Sequence, residues 1–240
     1  MKISGATNIG NRRSENQDKY TAGRLLNGVS FGFVCDGMGG VKGGKIASDL
    51  LAKYIEDAMF VHNESADFNE EKTVLSAIED ACSAIYTLGE KNTEYKGMGT
   101  TVAGVTVKGN KCTVYHAGDS RVYIVRDSKL ALITRDHSVV QELVEQGKIT
   151  QEQADNHPQR NLITRAVGVE KTIQVDVAEL EVFPGDIILC TSDGLTNFVS
   201  PYEMIEILTQ TNIFAMPDKL IHTALNNQST DNITAVVLAI

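Results

Sequence analysis

The sequence predicts an α+β fold in which antiparallel sheets stack on each other with helices outside. Three observations carry this. Two early segments repeat apolar residues at helical spacing, a central block alternates with period two, and two late helices precede a closing strand.

In chain order, short strands are expected up to Ile9 and near Asp18 to Thr21, then a buried strand from Val29 to Cys35. Asp36 follows where that strand is expected to end and a glycine loop to begin, Asp36-Gly37-Met38-Gly39-Gly40. The first helix puts Ile46, Leu50, Leu51, Tyr54, Ile55, Ala58 and Met59 on one face. The second runs from about Glu70 to Gly89 behind an Asn69 N-cap, with Val74, Leu75, Ile78, Cys82 and Ile85 as its stripe. Strands follow at Thr100 to Val107, Cys112 to Ala117 and Val122 to Val125, joined by Gly109-Asn110 and Gly118-Asp119. Residues 136–165 turn polar, with short helical pieces and a capping-box pattern at Thr150 to Gln153. Strands resume at Ile173 to Leu180 and Ile187 to Thr191. Ser200-Pro201-Tyr202-Glu203 starts a helix, another follows Pro217, and Ile233 to Ala239 closes the chain as a strand. With no repeat and no linker, 1–240 reads as one domain with a subregion at about 136–165.

Composition narrows the function. Hydrophobic residues make up 42% of the 240, ample for a core. The net charge of −9 argues against a nucleic-acid or anionic-membrane surface and suits a protein that holds cations. No apolar run reaches signal-peptide or membrane-spanning length, so no membrane insertion is expected. Cys35, Cys82, Cys112 and Cys190 lie far apart and read as buried free thiols of a reducing, cytoplasmic setting. None forms Cys-x-x-Cys, which argues against zinc, and none has an arginine six positions on, the spacing of a cysteine-based phosphatase loop.

The chemistry centres on aspartates. Asp18, Asp36, Asp193 and Asp231 flank strands at ends where a sheet could converge them. Each taken singly is also a plausible turn residue. Gathered without a metal they would repel and raise each other's pKa. With two divalent ions they are satisfied, and a bridging water loses a proton near neutral pH.

Six motifs then occur in order: Arg13-x-x-Asn16-Gln17-Asp18, Asp36-Gly37-Met38-Gly39-Gly40, Gly99-Thr100-Thr101, Gly118-Asp119-Ser120-Arg121, Ser192-Asp193-Gly194 and Asp231-Asn232. Over essentially the whole chain this resembles the metal-dependent protein serine/threonine phosphatases of type 2C, in their compact bacterial branch. The resemblance implies a four-layer α-β-β-α sandwich with a dinuclear site at one end of the two sheets. It implies that Asp36 bridges two manganese or magnesium ions, that the Gly37 carbonyl binds one of them, and that Asp193 and Asp231 complete the set with support from Asp18. Arg13 would hold the substrate phosphate, and Asp119, with Asp193, a weaker third ion. Hydrolysis of phosphoserine and phosphothreonine would proceed by direct attack of a metal-bound hydroxide. The implied partners are phosphorylated proteins, a serine/threonine kinase and its targets among them, for a monomeric enzyme. The 136–165 stretch resembles the family's flap, expected to select protein substrates.

The residue types suit this. A phosphomonoester needs positive charge and a positioned nucleophile, and arginine's planar fork matches its oxygens. One departure stands out: eukaryotic relatives carry a proposed general-acid histidine where this chain has Met38, and a thioether has no proton to give. His62, His116, His137, His157 and His222 read as surface or packing residues, with His137 the first candidate for a replacement.

Two other classes compete. Gly39 to Lys45 matches most of a nucleotide phosphate loop, as in an ATPase or kinase, but Ile46 stands where a hydroxyl should bind magnesium. A metal-free binding module on the same fold would lack the intact Asp36, Asp193 and Asp231.

Overall fold

A computed structural model describes residues 1–62 and 68–240, apart from the side chains of Val41 and His62. The chain runs β1 (Lys2–Asn8), β2 (Asp18–Arg24), β3 (Ser30–Met38), α1 (Gly40–His62), α2 (Glu70–Lys91), β4 (Gly99–Thr100), β5 (Val102–Lys108), β6 (Lys111–Ala117), β7 (Arg121–Arg126) and β8 (Lys129–Leu132). It continues through α3 (Val139–Glu145), α4 (Gln151–Asp155), β9 (Asp176–Glu181), β10 (Ile187–Thr191), α5 (Asp193–Thr196), α6 (Pro201–Gln210), α7 (Met216–Asn226) and β11 (Ile233–Ala239).

The strands form two antiparallel sheets, ordered β1-β11-β10-β7-β8 and β2-β3-β5-β6-β9, with β4 added to β3. Strand alternation explains the layering. Phe31, Phe33 and Cys35 of β3 face α1 and α2, packing with Leu51, Ile55, Ile78 and Ile85. Val34 points the other way, into an inter-sheet core with Val105, Val114, Ile124, Ile188 and Val236. Leu189 and Val237 pack beneath Met204, Leu208, Leu220 and Ile221 of α6 and α7. These three cores separate four layers, α-β-β-α, as expected. Gly32 permits the close approach of the sheets: a Cβ there would lie 2.8 Å from Val236.

The capping signals act as read. Asn69 accepts from the Lys72 amide, and Thr150 and Ser200 close full capping boxes. All four cysteines are buried and free. Among the described residues no helix is long and apolar enough to cross a membrane.

Three departures shape the site. The strand expected to stop at Cys35 continues to Met38, because Gly37 and Met38 pair with Thr100 and Gly99. Helix α1 begins at Gly40, not at Ile46. Its glycines serve close packing: a Cβ on Gly43 would meet Met98 at 2.8 Å, and one on Gly44 would meet the Gly37 carbonyl at 2.6 Å. That use, and the antiparallel pairing of every strand in the two sheets, leave no βαβ phosphate-loop arrangement among the described residues. Finally, Gly118–Asp119–Ser120 is no hairpin: β6 and β7 belong to different sheets, and these residues cross between them.

Candidate metal and phosphate site

Each expected aspartate comes from a different segment, and all reach the same end of the two sheets. Asp18 opens β2 and stands opposite Asp36 of β3 in the ladder register. Asp193 opens α5 straight after β10, Asp231 leads into β11, and Asp119 sits in the sheet-to-sheet crossing. Burial comes first among the causes that hold the Asp36 carboxyl well above its ordinary range, followed by the charges of Asp18, Asp193, Asp119 and Asp231. Burial, then the charges of Asp193 and Asp231, push Asp18 up to about 7 against hydrogen bonds from Ser192 and Thr234, and burial with the Asp231 charge pushes Asp193 to about 6 against Arg121 and Arg13. Asp119 rises to about 8, through burial and then Asp193 and Asp136. These are the mutual effects the sequence predicts for carboxylates gathered without a cation.

Close backbone contacts make the gathering possible. A Cβ on Gly194 would lie 1.9 Å from the Asn232 carbonyl, so only glycine lets the Asp193 turn rest on the Asp231 loop. A Cβ on Gly37 would fall 2.1 Å from the Gly44 carbonyl, which keeps the Gly37 backbone bare beside Asp36. The Arg13 loop is sewn down by Asn232, whose Oδ1 accepts from the Gln17 amide and whose Nδ2 donates to the Ile9 and Glu15 carbonyls. Arg13 Nη2 then reaches Asp231 Oδ2 at 2.7 Å, with half the arginine side chain exposed.

Several positioning residues went unread in the sequence. Ser192 donates to Asp18 Oδ2 at 2.7 Å, tying the two sheets at the site. Thr101 Oγ1 accepts from the Asp36 amide and pairs with Ser120 Oγ, while the Thr101 amide donates to the Asp36 carbonyl. The serine beside Asp193 and the second threonine after Gly99 were visible signals, but their partners depend on sheet register. Of the histidines, His222 is exposed and the side chain of His62 lies outside the described residues. His116 and His137 are buried or half-buried, the first hydrogen-bonded to the Ser120 carbonyl and the second to the Gly118 amide.

The donor set fits hard divalent cations. It is all oxygen, and one member, Asp18 Oδ1, is buried with no hydrogen-bond partner. Among the described residues, the three-residue set whose ligand atoms approach within 4.8 Å of one another is His116, His137 and Asp176. No three of the described aspartates come that close, and Arg13, half exposed, pairs with Asp231 at the mouth of the cluster.

Residues 136–165 arch over this mouth. Their ends are zipped by Val139 N to Leu162 O and Thr164 N to His137 O, and α3 and α4 form the arch. Between arch and cluster lies a cavity of about 360 Å³, lined by Asp119, Asp193, Arg121, Asp136, Arg160 and Asn197 among others. Arg121 grips Asp136 through Nε at 2.9 Å and Nη2 at 2.7 Å, fixing where the arch starts.

Comparison with known proteins gives a consistent picture. The Protein phosphatase 2C family profile matches residues 5–228. Protein phosphatase PhpP of Streptococcus pneumoniae is 34% identical over 243 residues, covering 100% of this chain and 97% of that protein. The solved serine/threonine phosphatase of S. agalactiae superposes with a TM-score of 0.89 at 36% identity, covering 100% of this chain and 99% of the other. The catalytic domain of the serine threonine protein phosphatase PstP, solved with two manganese ions, superposes with a TM-score of 0.86 at 31% identity, covering 98% and 96%.

Proposed function

The chain belongs to the protein phosphatase 2C family, and from that premise we propose how its residues carry out serine/threonine phosphatase chemistry. One observation carries the proposal: aspartates from five separate segments meet at one end of the sheets, around a buried carboxylate oxygen that has no partner. That is costly for a structural turn cluster and suited to cations. Asp36, the Gly37 carbonyl, Asp193 and Asp231, supported by Asp18, would hold two manganese or magnesium ions, and Asp119 with Asp193 a weaker third. When bound, such ions supply positive charge for the phosphate and an acidified water for its hydrolysis.

The chain's own groups do the rest. Arg13, half exposed and on a loop anchored by Asn232, binds and orients the phosphate through charge-assisted hydrogen bonds. Thr101 and Ser192 hold Asp36 and Asp18 in place from both sheets. Met38 gives no proton, so the leaving oxygen takes its proton from water. The arch over 136–165, with its polar cavity, receives the peptide that carries the phosphate. The substrates are phosphorylated proteins, including a serine/threonine kinase and its targets. The enzyme works as a cytoplasmic monomer of one domain, a setting supported by its four buried free thiols.

Calorimetric titration with manganese tests the site. Wild type should bind at least two ions, and Asp193→Asn and Asp231→Asn, both folded by circular dichroism, should each lose one. Unchanged stoichiometry and affinity in both variants would refute this ligand set.

A further inference from the structure

The crossing from β6 to β7 sets a problem. Gly118, Asp119 and Ser120 have no partner strand to share, yet they must present the Asp119 carboxylate at a fixed point. Two imidazoles supply what a ladder would. The His137 amide donates to the Gly118 carbonyl at 2.7 Å, and the Gly118 amide donates back to His137 Nδ1 at 3.1 Å. On the other side, His116 Nε2 donates to the Ser120 carbonyl at 2.9 Å. The two rings stack with centroids 4.8 Å apart and an interplanar angle of 28°. The residues before and after Asp119 are therefore both held by histidine.

The partners fix the tautomers. An amide donor requires a lone pair on His137 Nδ1, so the ring proton sits on Nε2, facing Asp176 Oδ2 at 3.1 Å. A carbonyl acceptor puts the His116 proton on Nε2 and leaves its Nδ1 lone pair buried without a partner. Both rings are neutral, burial being the first cause that pushes His116 down to about 4 and also lowers His137. His116, His137 and Asp176 are spaced like metal ligands, but neither His137 nitrogen has a lone pair to offer an ion.

His137 also ties the crossing to the arch. Its carbonyl accepts from the Thr164 amide at 2.8 Å, and Asp176 is held by Arg165 Nη1 at 2.6 Å. The start of the arch, its end and the Gly118 peptide thus meet at one residue, whose backbone takes the Thr164 amide and the Gly118 carbonyl and whose ring takes the Gly118 amide.

We propose that His137 is a positioning residue, whose Nδ1 lone pair, backed by the stacked His116 ring, holds the Gly118–Asp119–Ser120 crossing so that Asp119 points into the active site. It touches no substrate. The proposal rests on reading Asp119 as part of that site, so Asp119→Ala is the control. His137→Asn keeps an acceptor oxygen near the Nδ1 position, whereas His137→Leu keeps bulk and loses the acceptor. With a phosphothreonine peptide, His137→Leu should lose roughly 10- to 100-fold in kcat, the cost of a small misplacement, with KM within about 3-fold. His137→Asn should recover most of the loss. Amide hydrogen exchange should show Gly118 protected in wild type and His137→Asn and unprotected in His137→Leu. Should the leucine variant not fold, ¹⁵N NMR of the wild type still decides, by showing His137 Nδ1 without a proton. A protonated Nδ1, or a leucine variant as active as the asparagine variant, would overturn the proposal. If Asp119→Ala itself keeps full activity, the reading of Asp119 fails instead.

Discussion

Replacing Asp18 by Asn separates a metal-site carboxylate from an ordinary structural one. Asp18 is 5% exposed, Ser192 donates to its Oδ2, and its Oδ1 has no partner. An asparagine keeps an oxygen for Ser192 and removes the charge. Burial, with Asp193 and Asp231 nearby, raises the folded carboxyl to about 7, against about 3.9 in the unfolded chain. A folded pKa above the unfolded one means that the native state binds the extra proton. Its ionised form therefore destabilises the metal-free protein, not at all below about pH 4, increasingly up to pH 7, and fully above it. The difference of about three pH units corresponds to about 4 kcal/mol. Relaxation of the neighbouring carboxylates leaves roughly half, about 2 kcal/mol, which raises Tm by about 4–8 °C in a chain of this size. The assay is calorimetric melting in EDTA at pH 4, 6 and 8, repeated with excess manganese. Asp18→Asn should melt above wild type at pH 8 in EDTA, match it near pH 4, and lose the advantage in manganese. A variant less stable than wild type in EDTA at pH 8, or equally stabilised at every pH, would refute the reasoning.

Two further outcomes follow. Arg13→Ala removes a charge-assisted bond worth about 1.5–3 kcal/mol and should lower kcat/KM by roughly 10- to 100-fold. Arg12→Ala should stay near wild type, and the reverse pattern would move the role to Arg12. Exchanging residues 136–165 for another member's arch should change the preference among phosphopeptides and spare a small aryl phosphate, and equal loss on both would count against the arch as a selector.

What the sequence revealed depended on how local the governing physics was. Helix caps at Asn69, Thr150 and Ser200 were legible because each is settled within four residues. The closing strand was legible because every residue from Ile233 to Leu238 is buried. The start of α1 was not, since Gly40 to Lys45 has loop composition, and only contact with Met98 and Gly37 shows why glycines belong in a helix there. The short β8 gave little pattern, with Leu130 half-buried and the rest of Lys129–Leu132 exposed. The Gly118–Asp119 turn looked like a hairpin because its sequence suits one, and nothing local says that its flanking strands join different sheets. The aspartates announced themselves by standing at strand ends. Ser192, Thr101 and Asn232 stand in the motifs with no role assigned to them, and the positioning role of the two histidines is not legible, since their partners are backbone or side-chain atoms that only the sheet register brings near.

Hydrolysis of a phosphothreonine peptide, followed by phosphate release, tests the central claim most directly. Purified protein would be measured as isolated, after removal of metal by chelation, and after manganese is returned. The account predicts turnover that falls to background on chelation and recovers with manganese, with Asp231→Asn impaired throughout by orders of magnitude. Undiminished hydrolysis in the chelated protein, or no hydrolysis in manganese by a folded wild type, would contradict it.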